Sequence, residues 1–310
     1  MGRAAPPCDA MSELGVSGIT DLCVVTAVDI EFNIAASLLS GKRLSEEPPG
    51  ARPLGAQASL AADFRRGPTD RIKQAGMPAL PGLRSHKMKI CRGLFSGRQV
   101  TILRSGMGAV GFAERLAKHL TNNRYDALIV AGLSGGLDPL LRVGDAVLYS
   151  LCYDARGADF TRREPSDREE VAAAACDEAL SGFLYGALTR SGLSFVQAPG
   201  ITVGKVVTEA KEKSTLGARC GAAAVDMETF QTLDACARLG LPASALRVIS
   251  DEAGRDIPDF NRIYNADGRM NGWRTFAAMA ARPSAALRLL LTVRPALQSL
   301  KATLQAAMGA

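Results

Sequence analysis

The sequence is short of the residues on which several kinds of chemistry depend. It has two histidines, His86 and His119, in 310 residues, so a histidine-based triad or a multi-histidine metal site has almost no members to draw on. Seven cysteines, at positions 8, 23, 91, 152, 176, 220 and 236, are never spaced as CxxC. Their odd number and scatter argue against a disulfide framework and a cysteine-rich zinc site, and fit a reducing cytoplasm. Aromatic residues make up 5% and no compact Lys/Arg run occurs. The net charge of +6 therefore comes without the stacking platforms or basic arm of a nucleic-acid-binding protein. No apolar run of about 18 residues offers a membrane span. At the N-terminus Pro6, Pro7 and Asp9 precede any apolar stretch, the wrong order for a signal peptide.

What is present is a globular composition, 47% hydrophobic and 22% charged. Short β-branched runs recur, at Leu22 to Val28, Ala127 to Ala131, Asp145 to Ser150, Ile201 to Val207, Ala222 to Val225 and Ala245 to Ile249. Between them lie helical stretches after Asp29, from Ala109 to Leu120, an Ala-rich one from Arg168 to Arg190, and one from Thr229 to Leu239. Met88 to Phe95 and Gln99 to Arg104 read as strands paired through Ser96-Gly97. Alternation of this kind predicts a single α/β domain, three layers α/β/α around a central mixed, mainly parallel sheet. The expected organisation is a tail over 1–18, the main domain over 19–282 with a Pro-, Gly- and Arg-rich surface insertion at 41–85, and a basic amphipathic helical extension over 283–310. In the extension Leu287, Leu290 and Leu291, then Leu297, Leu300 and Leu304, share an apolar side beside Arg288 and Lys301. That pattern suits a peripheral membrane contact or an amphiphilic substrate.

Functional residues of such a sheet gather where strands end. Ser105-Gly106-Met107-Gly108-Ala109-Val110-Gly111 follows a strand and spells GxGxxG. The dinucleotide fingerprint also needs an acid about 20 residues on, where the chain has Ala131, Gly132 and Leu133. A nicotinamide-dependent oxidoreductase using Gly106, Gly108 and Gly111 thus stays open without its ribose anchor. A second glycine cluster, Gly132 to Pro139, predicts another close-approach loop at the same edge. Three carboxylates, Glu31, Glu228 and Asp251, each follow a strand. Paired acids suit glycosidic cleavage, in which one protonates the leaving group and another activates the nucleophile, and a further carboxylate can accept from a cis-diol.

Thr26 to Glu31, Ser105 to Gly108, Ala131 to Leu137 with Val143-Gly144-Asp145, Val225 to Glu228, and Arg247 to Asp251 stand in the order of the nucleoside phosphorylase and nucleosidase superfamily. The chain most resembles its methylthioadenosine/adenosylhomocysteine nucleosidase side, from about residue 22 to 260. The resemblance implies that Asp251 protonates N7 of a departing purine, that Arg247 supports the acidic cluster, and that Glu31 orients an attacking water. It implies further that Met227 and Glu228 hold the ribose, and that Ser105, Gly106, Gly108, Ser134, Gly135, Val207 and Thr208 line the substrate. It implies no metal or redox cofactor, with inorganic phosphate as the alternative co-substrate, a small-molecule adenine nucleoside as ligand, and a homo-oligomer.

Two departures stand out. The family's purine-stacking aromatic is replaced within Lys205-Val206-Val207-Thr208. A phosphate-binding arginine of the phosphorylases is replaced by Val130, which favours water, although Arg104 or Lys205 offers a substitute cation. Ala245 to Pro258, with Asp267-Gly268-Arg269 and Arg282-Pro283, is similar to the hopanoid-associated phosphorylase branch, which implies adenosylhopane as substrate. A noncatalytic nucleoside-binding protein is the remaining alternative.

Overall fold

The computed structural model describes residues 18–47, 88–104, 106, 112–157, 171–259, 261, 280 and 283–309. Along them run β1 (Asp21–Thr26), α1 (Asp29–Ser37), β2 (Ser40–Glu47), β3 (Met88–Phe95), β4 (Arg98–Arg104), α2 (Phe112–Asn122), β5 (Ala127–Gly136), β6 (Ala146–Asp154) and β7 (Ala173–Ala175). There follow α3 (Glu178–Arg190), β8 (Phe195–Thr202), α4 (Ala210–Cys220), β9 (Ala224–Asp226), α5 (Thr229–Arg238), β10 (Ala243–Asp251) and α6 (Pro283–Gly309). The β3–β4 hairpin turns at Ser96 and Gly97, both at positive φ (50° and 82°), as a two-residue primed turn requires.

Alternation along the strands divides the core into two faces. Cys23 and Val25 of β1, with Leu128 and Val130 of β5, pack under Phe112, Leu116 and Leu120 of α2 and Phe230 and Leu233 of α5. Leu22, Val24, Ala127 and Ile129 point the other way, onto Phe32 and Ala35 of α1, Leu184 and Leu188 of α3, and Leu300 and Leu304 of α6. The result is the expected α/β architecture with a mixed sheet. β1 lies parallel between β4 and β5, and β3 and β2 extend that side antiparallel. The other side curls. β5 also pairs with β10 and β9, and the path β5, β10, β6, β8, β9 returns to β5, so these strands close a ring.

Three sequence expectations are corrected. The Ala-rich stretch does not run as one helix from Arg168: Ala173–Ala175 pairs with the edge of β6. The helix starts at Glu178, where the Asp177 carboxylate caps it by accepting the Leu180 N–H at 2.8 Å. The start of the expected insertion belongs to the sheet as β2, while residues 48–85 of it, the 1–17 tail and the Asp267-Gly268-Arg269 turn lie outside the described residues. The C-terminal stretch is no separate appendage. Pro295 is accommodated inside α6, and Leu300, Leu304, Ala307 and Met308 are buried against the sheet and α1. Ser299 Oγ donates to the Gly144 carbonyl of the turn entering β6. The apolar side expected to meet a membrane thus covers the protein's own core over its second half, and Leu287 and Leu291 are exposed. Among the described residues no helix is long and apolar enough to cross a membrane.

Candidate active site

The C-terminal ends of the parallel strands β1, β5 and β10 lie side by side, and the carboxylates singled out in the sequence converge there. Glu31 sits in the first turn of α1, immediately after β1. Its Oε2 accepts the N–H groups of Ala27 at 2.9 Å and Val28 at 3.2 Å, and its Oε1 accepts that of Leu133 at 2.8 Å. One side chain therefore ties the end of β1 to the end of β5. Burial pushes the Glu31 carboxyl above the usual glutamate range, and the nearby Arg247 charge and the three N–H donors only partly offset this.

Arg247 is buried in β10 on the face covered by α5. Its Nε and Nη2 donate to Thr229 Oγ1 at 3.1 and 2.7 Å. It pairs with Asp226 at 3.4 Å and Glu228 at 3.9 Å. Burial opposes its charge, but Asp226, Glu228 and Glu31 more than compensate, so the guanidinium pKa lies above its ordinary value. Asp226 is the hub of this group. It accepts from Thr202 Oγ1 at 2.8 Å, Tyr149 OH at 3.1 Å, and the N–H groups of Glu228 and Thr229 at 3.1 and 3.0 Å. Those last two bonds hold the start of α5 and place Glu228, itself buried, beside Arg247.

Asp251 ends β10 at an irregularity: Ile249 is opposite Ser134, but Asp251 is opposite Gly135, which leaves Ser250 as the extra residue. Such a bulge re-aims the side chain that follows it. Asp251 Oδ1 accepts from Ser250 Oγ at 2.7 Å, and Oδ2 accepts from Lys213 Nζ. A Cβ on Gly135 would lie 3.4 Å from Asp251 Oδ2. Ser134, between the Glu31 and Asp251 ends of this strand segment, is buried, and its Oγ finds no hydrogen-bond partner among the described residues.

The structure thus gathers Glu31, Ser134, Gly135, Glu228, Arg247 and Asp251, with Met227 adjoining Glu228 and its carbonyl accepting from Gln231 Nε2 at 2.9 Å. Gly106 joins them: its φ of 83° demands glycine, and its N–H donates to Ala27 O at 2.9 Å, beside the Glu31 anchor. Ser105 and Gly108 lie outside the described residues. Val207 packs in a separate apolar cluster with Val203, Leu216 and Val225, and the Thr208 carbonyl accepts the Ile257 N–H at 2.9 Å. The expected second glycine loop is in fact strand as far as Gly136, because Gly132 to Gly135 pair with β10 and Gly135 and Gly136 with β9. Arg104 pairs with Asp29 at 2.9 Å and Lys205 with Glu212 at 2.9 Å. Among the described residues no group of three or more His, Cys, Asp or Glu is placed to hold a metal ion.

Sequence reasoning missed Asp226, Thr229, Tyr149 and Lys213. The Lys211-Glu212-Lys213 run looks like a solvated helix face. The available signal was that Lys213 precedes Leu216 by three residues, which puts both on one side of α4.

A family model for the phosphorylase superfamily matches residues 69–285. A 5'-methylthioadenosine/S-adenosylhomocysteine nucleosidase of Marinomonas sp. (strain MWYL1) is 28% identical over 178 residues, 56% of this chain and 76% of that protein. A futalosine hydrolase of Thermus thermophilus is 30% identical over 207 residues, 64% of this chain and 84% of that protein. Among solved structures, the 5'-methylthioadenosine/S-adenosylhomocysteine nucleosidase of Neisseria meningitidis in complex with methylthio-immucillin-A superposes with a TM-score of 0.60. At 17% identity, covering 94% of this chain and 99% of that one, this likeness speaks to the fold.

Proposed function

This chain belongs to the phosphorylase superfamily, and from that premise we propose that it breaks the N-glycosidic bond of an adenine nucleoside with water as nucleophile. The observation that carries the reading is that Glu31 and Asp251 address the two ends of one short stretch of β5. Glu31 holds the Leu133 N–H and Asp251 lies against Gly135. Leu133 and Gly135 are two residue rises apart, about 7 Å along a strand, the order of separation at which two carboxyl groups flank a glycosidic bond and its attacking water.

In this reading Asp251 delivers a proton to N7, which turns adenine into a leaving group. Glu228 accepts from the ribose 2′ and 3′ hydroxyls, and Arg247 keeps its carboxylate in place. As the bond lengthens, the ribosyl group becomes oxocarbenium-like, and the nearby negative charge favours it. Glu31 takes the proton of the incoming water, a task suited to a carboxyl whose proton affinity burial has raised. Water is favoured over phosphate because Arg104 and Lys205, the candidate phosphate ligands, each face a carboxylate. The names of the relatives, nucleosidase and hydrolase, support the same choice.

For the 5′ substituent, the likeness of Ala245 to Pro258 to the hopanoid-associated branch favours a bulky apolar group, with adenosylhopane as its representative. The test is kcat/KM for adenine release across adenosine, methylthioadenosine, adenosylhomocysteine and adenosylhopane. The finer assignment requires adenosylhopane to be best; a preference for methylthioadenosine removes it and leaves the glycosidic reading intact.

A further inference from the structure

Lys213 is a charged side chain in direct contact with Asp251 that the proposed reaction leaves without a task. It projects from α4, is wholly buried, and spends its three ammonium hydrogens on Asp251 Oδ2, the Glu252 carbonyl at 3.2 Å and the Arg255 carbonyl at 3.0 Å. The segment it reaches is already stapled to α4 and the chain before it. Ala210 N–H donates to Asp256 Oδ1 at 2.8 Å, Ile257 N–H to Thr208 O at 2.9 Å, and Val206 N–H to Asn261 Oδ1 at 2.8 Å. Holding these segments together does not require a buried ammonium, since an apolar residue of similar volume does so without the desolvation cost.

The contact also bears on the acid. The Lys213 ammonium lies within one hydrogen bond of the carboxyl through which N7 must receive its proton, so a proton can pass from one to the other. We infer that Lys213 stores that proton and passes it through Asp251 to the departing purine; the inference rests on the glycosidic reading above. As the N9–C1′ bond breaks and its electron pair moves onto the purine, the Asp251 carboxylate takes a proton from Lys213 and passes it on to N7. That leaves a neutral amine at Lys213, an ionised Asp251 and neutral adenine. Water adds to C1′ and gives its proton to Glu31. After adenine leaves, Lys213 regains a proton from solvent and Glu31 releases its own, so the sum is nucleoside plus water to adenine plus the sugar. Lys213 touches no substrate and acts through Asp251, as a positioning residue that also supplies its proton.

Two variants separate proton supply from structure. Lys213→Arg keeps the positive charge beside Asp251 but cannot give up a proton at working pH, and Lys213→Met keeps the stem without either. Each is compared with wild type on adenosine and on 4-nitrophenyl riboside, whose phenolate leaves without protonation. The inference expects both folded variants to lose about 10²-fold or more of kcat on adenosine at unchanged KM, while 4-nitrophenolate release continues at the wild-type rate. Equal losses on the two substrates, or wild-type adenosine turnover in Lys213→Arg, overturns it. A wild-type protein that releases no adenine removes the glycosidic reading and the inference together, an outcome distinct from either variant result.

Discussion

Arg247 and Glu31 meet over a residue that has no side chain: a Cβ at Gly132 would lie 2.7 Å from Arg247 Nη1 and 2.8 Å from Glu31 Oε1. The space a methyl group would fill is occupied by a guanidinium and a carboxylate, each bound to other partners and unable to yield cheaply. Gly132→Ala should displace one or both. Because a shift of about 1 Å in a catalytic group costs up to about 10²-fold, kcat/KM should fall by about 10-fold or more. Steady-state rates on adenosine, with circular dichroism to confirm folding, check this. Wild-type activity would mean that the Arg247 and Glu31 positions are immaterial.

Asp251→Asn keeps the shape and the Ser250 contact but has no proton to deliver. Adenine release should drop by about 10²- to 10⁴-fold in a folded protein. Unchanged release would remove Asp251 from the reaction.

Burial raises the Glu31 carboxyl above the usual glutamate value, and a base works only when ionised. The acidic limb of kcat/KM against pH should therefore lie above the ordinary glutamate value of about 4.3. The same shift has a definite sign for stability. Glu31 favours the folded state below the ordinary value, and that contribution is lost as pH rises through the raised one. A limb at or below the ordinary value would separate Glu31 from the rate.

Leu304 is fully buried on the sheet face shared by α1 and α3, whereas Leu291 of the same helix is exposed. Leu304→Ala should cost about 2–5 kcal/mol of unfolding free energy, cavity included, and Leu291→Ala less than about 0.5 kcal/mol. Urea denaturation of the two variants decides it. A similar small effect at both positions would return α6 to a loosely attached extension.

These contrasts mark what the sequence could and could not disclose. Most strands and the gathering of Glu31, Glu228 and Asp251 at strand ends were legible because β-branched runs and strand-end acids are local signals, but the strand expected at Ile201 to Val207 spans Phe195–Thr202 instead. The closing of β5, β10, β6, β8 and β9 into a ring was not legible, since it depends on pairings between segments far apart in the chain. Ala173 to Ala175 misled because alanine favours helix, yet an edge of β6 was open and Asp177 supplied a later cap. Leu300 and Leu304 showed an apolar face but not its partner, which is the sheet itself. Lys213 was hidden for the opposite reason: a lysine in a charged run reads as solvent-facing until the fold brings a buried carboxylate to it.

The central claim is hydrolysis of an N-glycosidic bond, and it is tested most directly by identifying both products by mass spectrometry. The purified protein is incubated with adenosine, once in phosphate-free buffer and once with phosphate. The account predicts free adenine and free ribose in equal amounts and at equal rates in the two buffers. Adenine formed only with phosphate, together with ribose 1-phosphate, would contradict it.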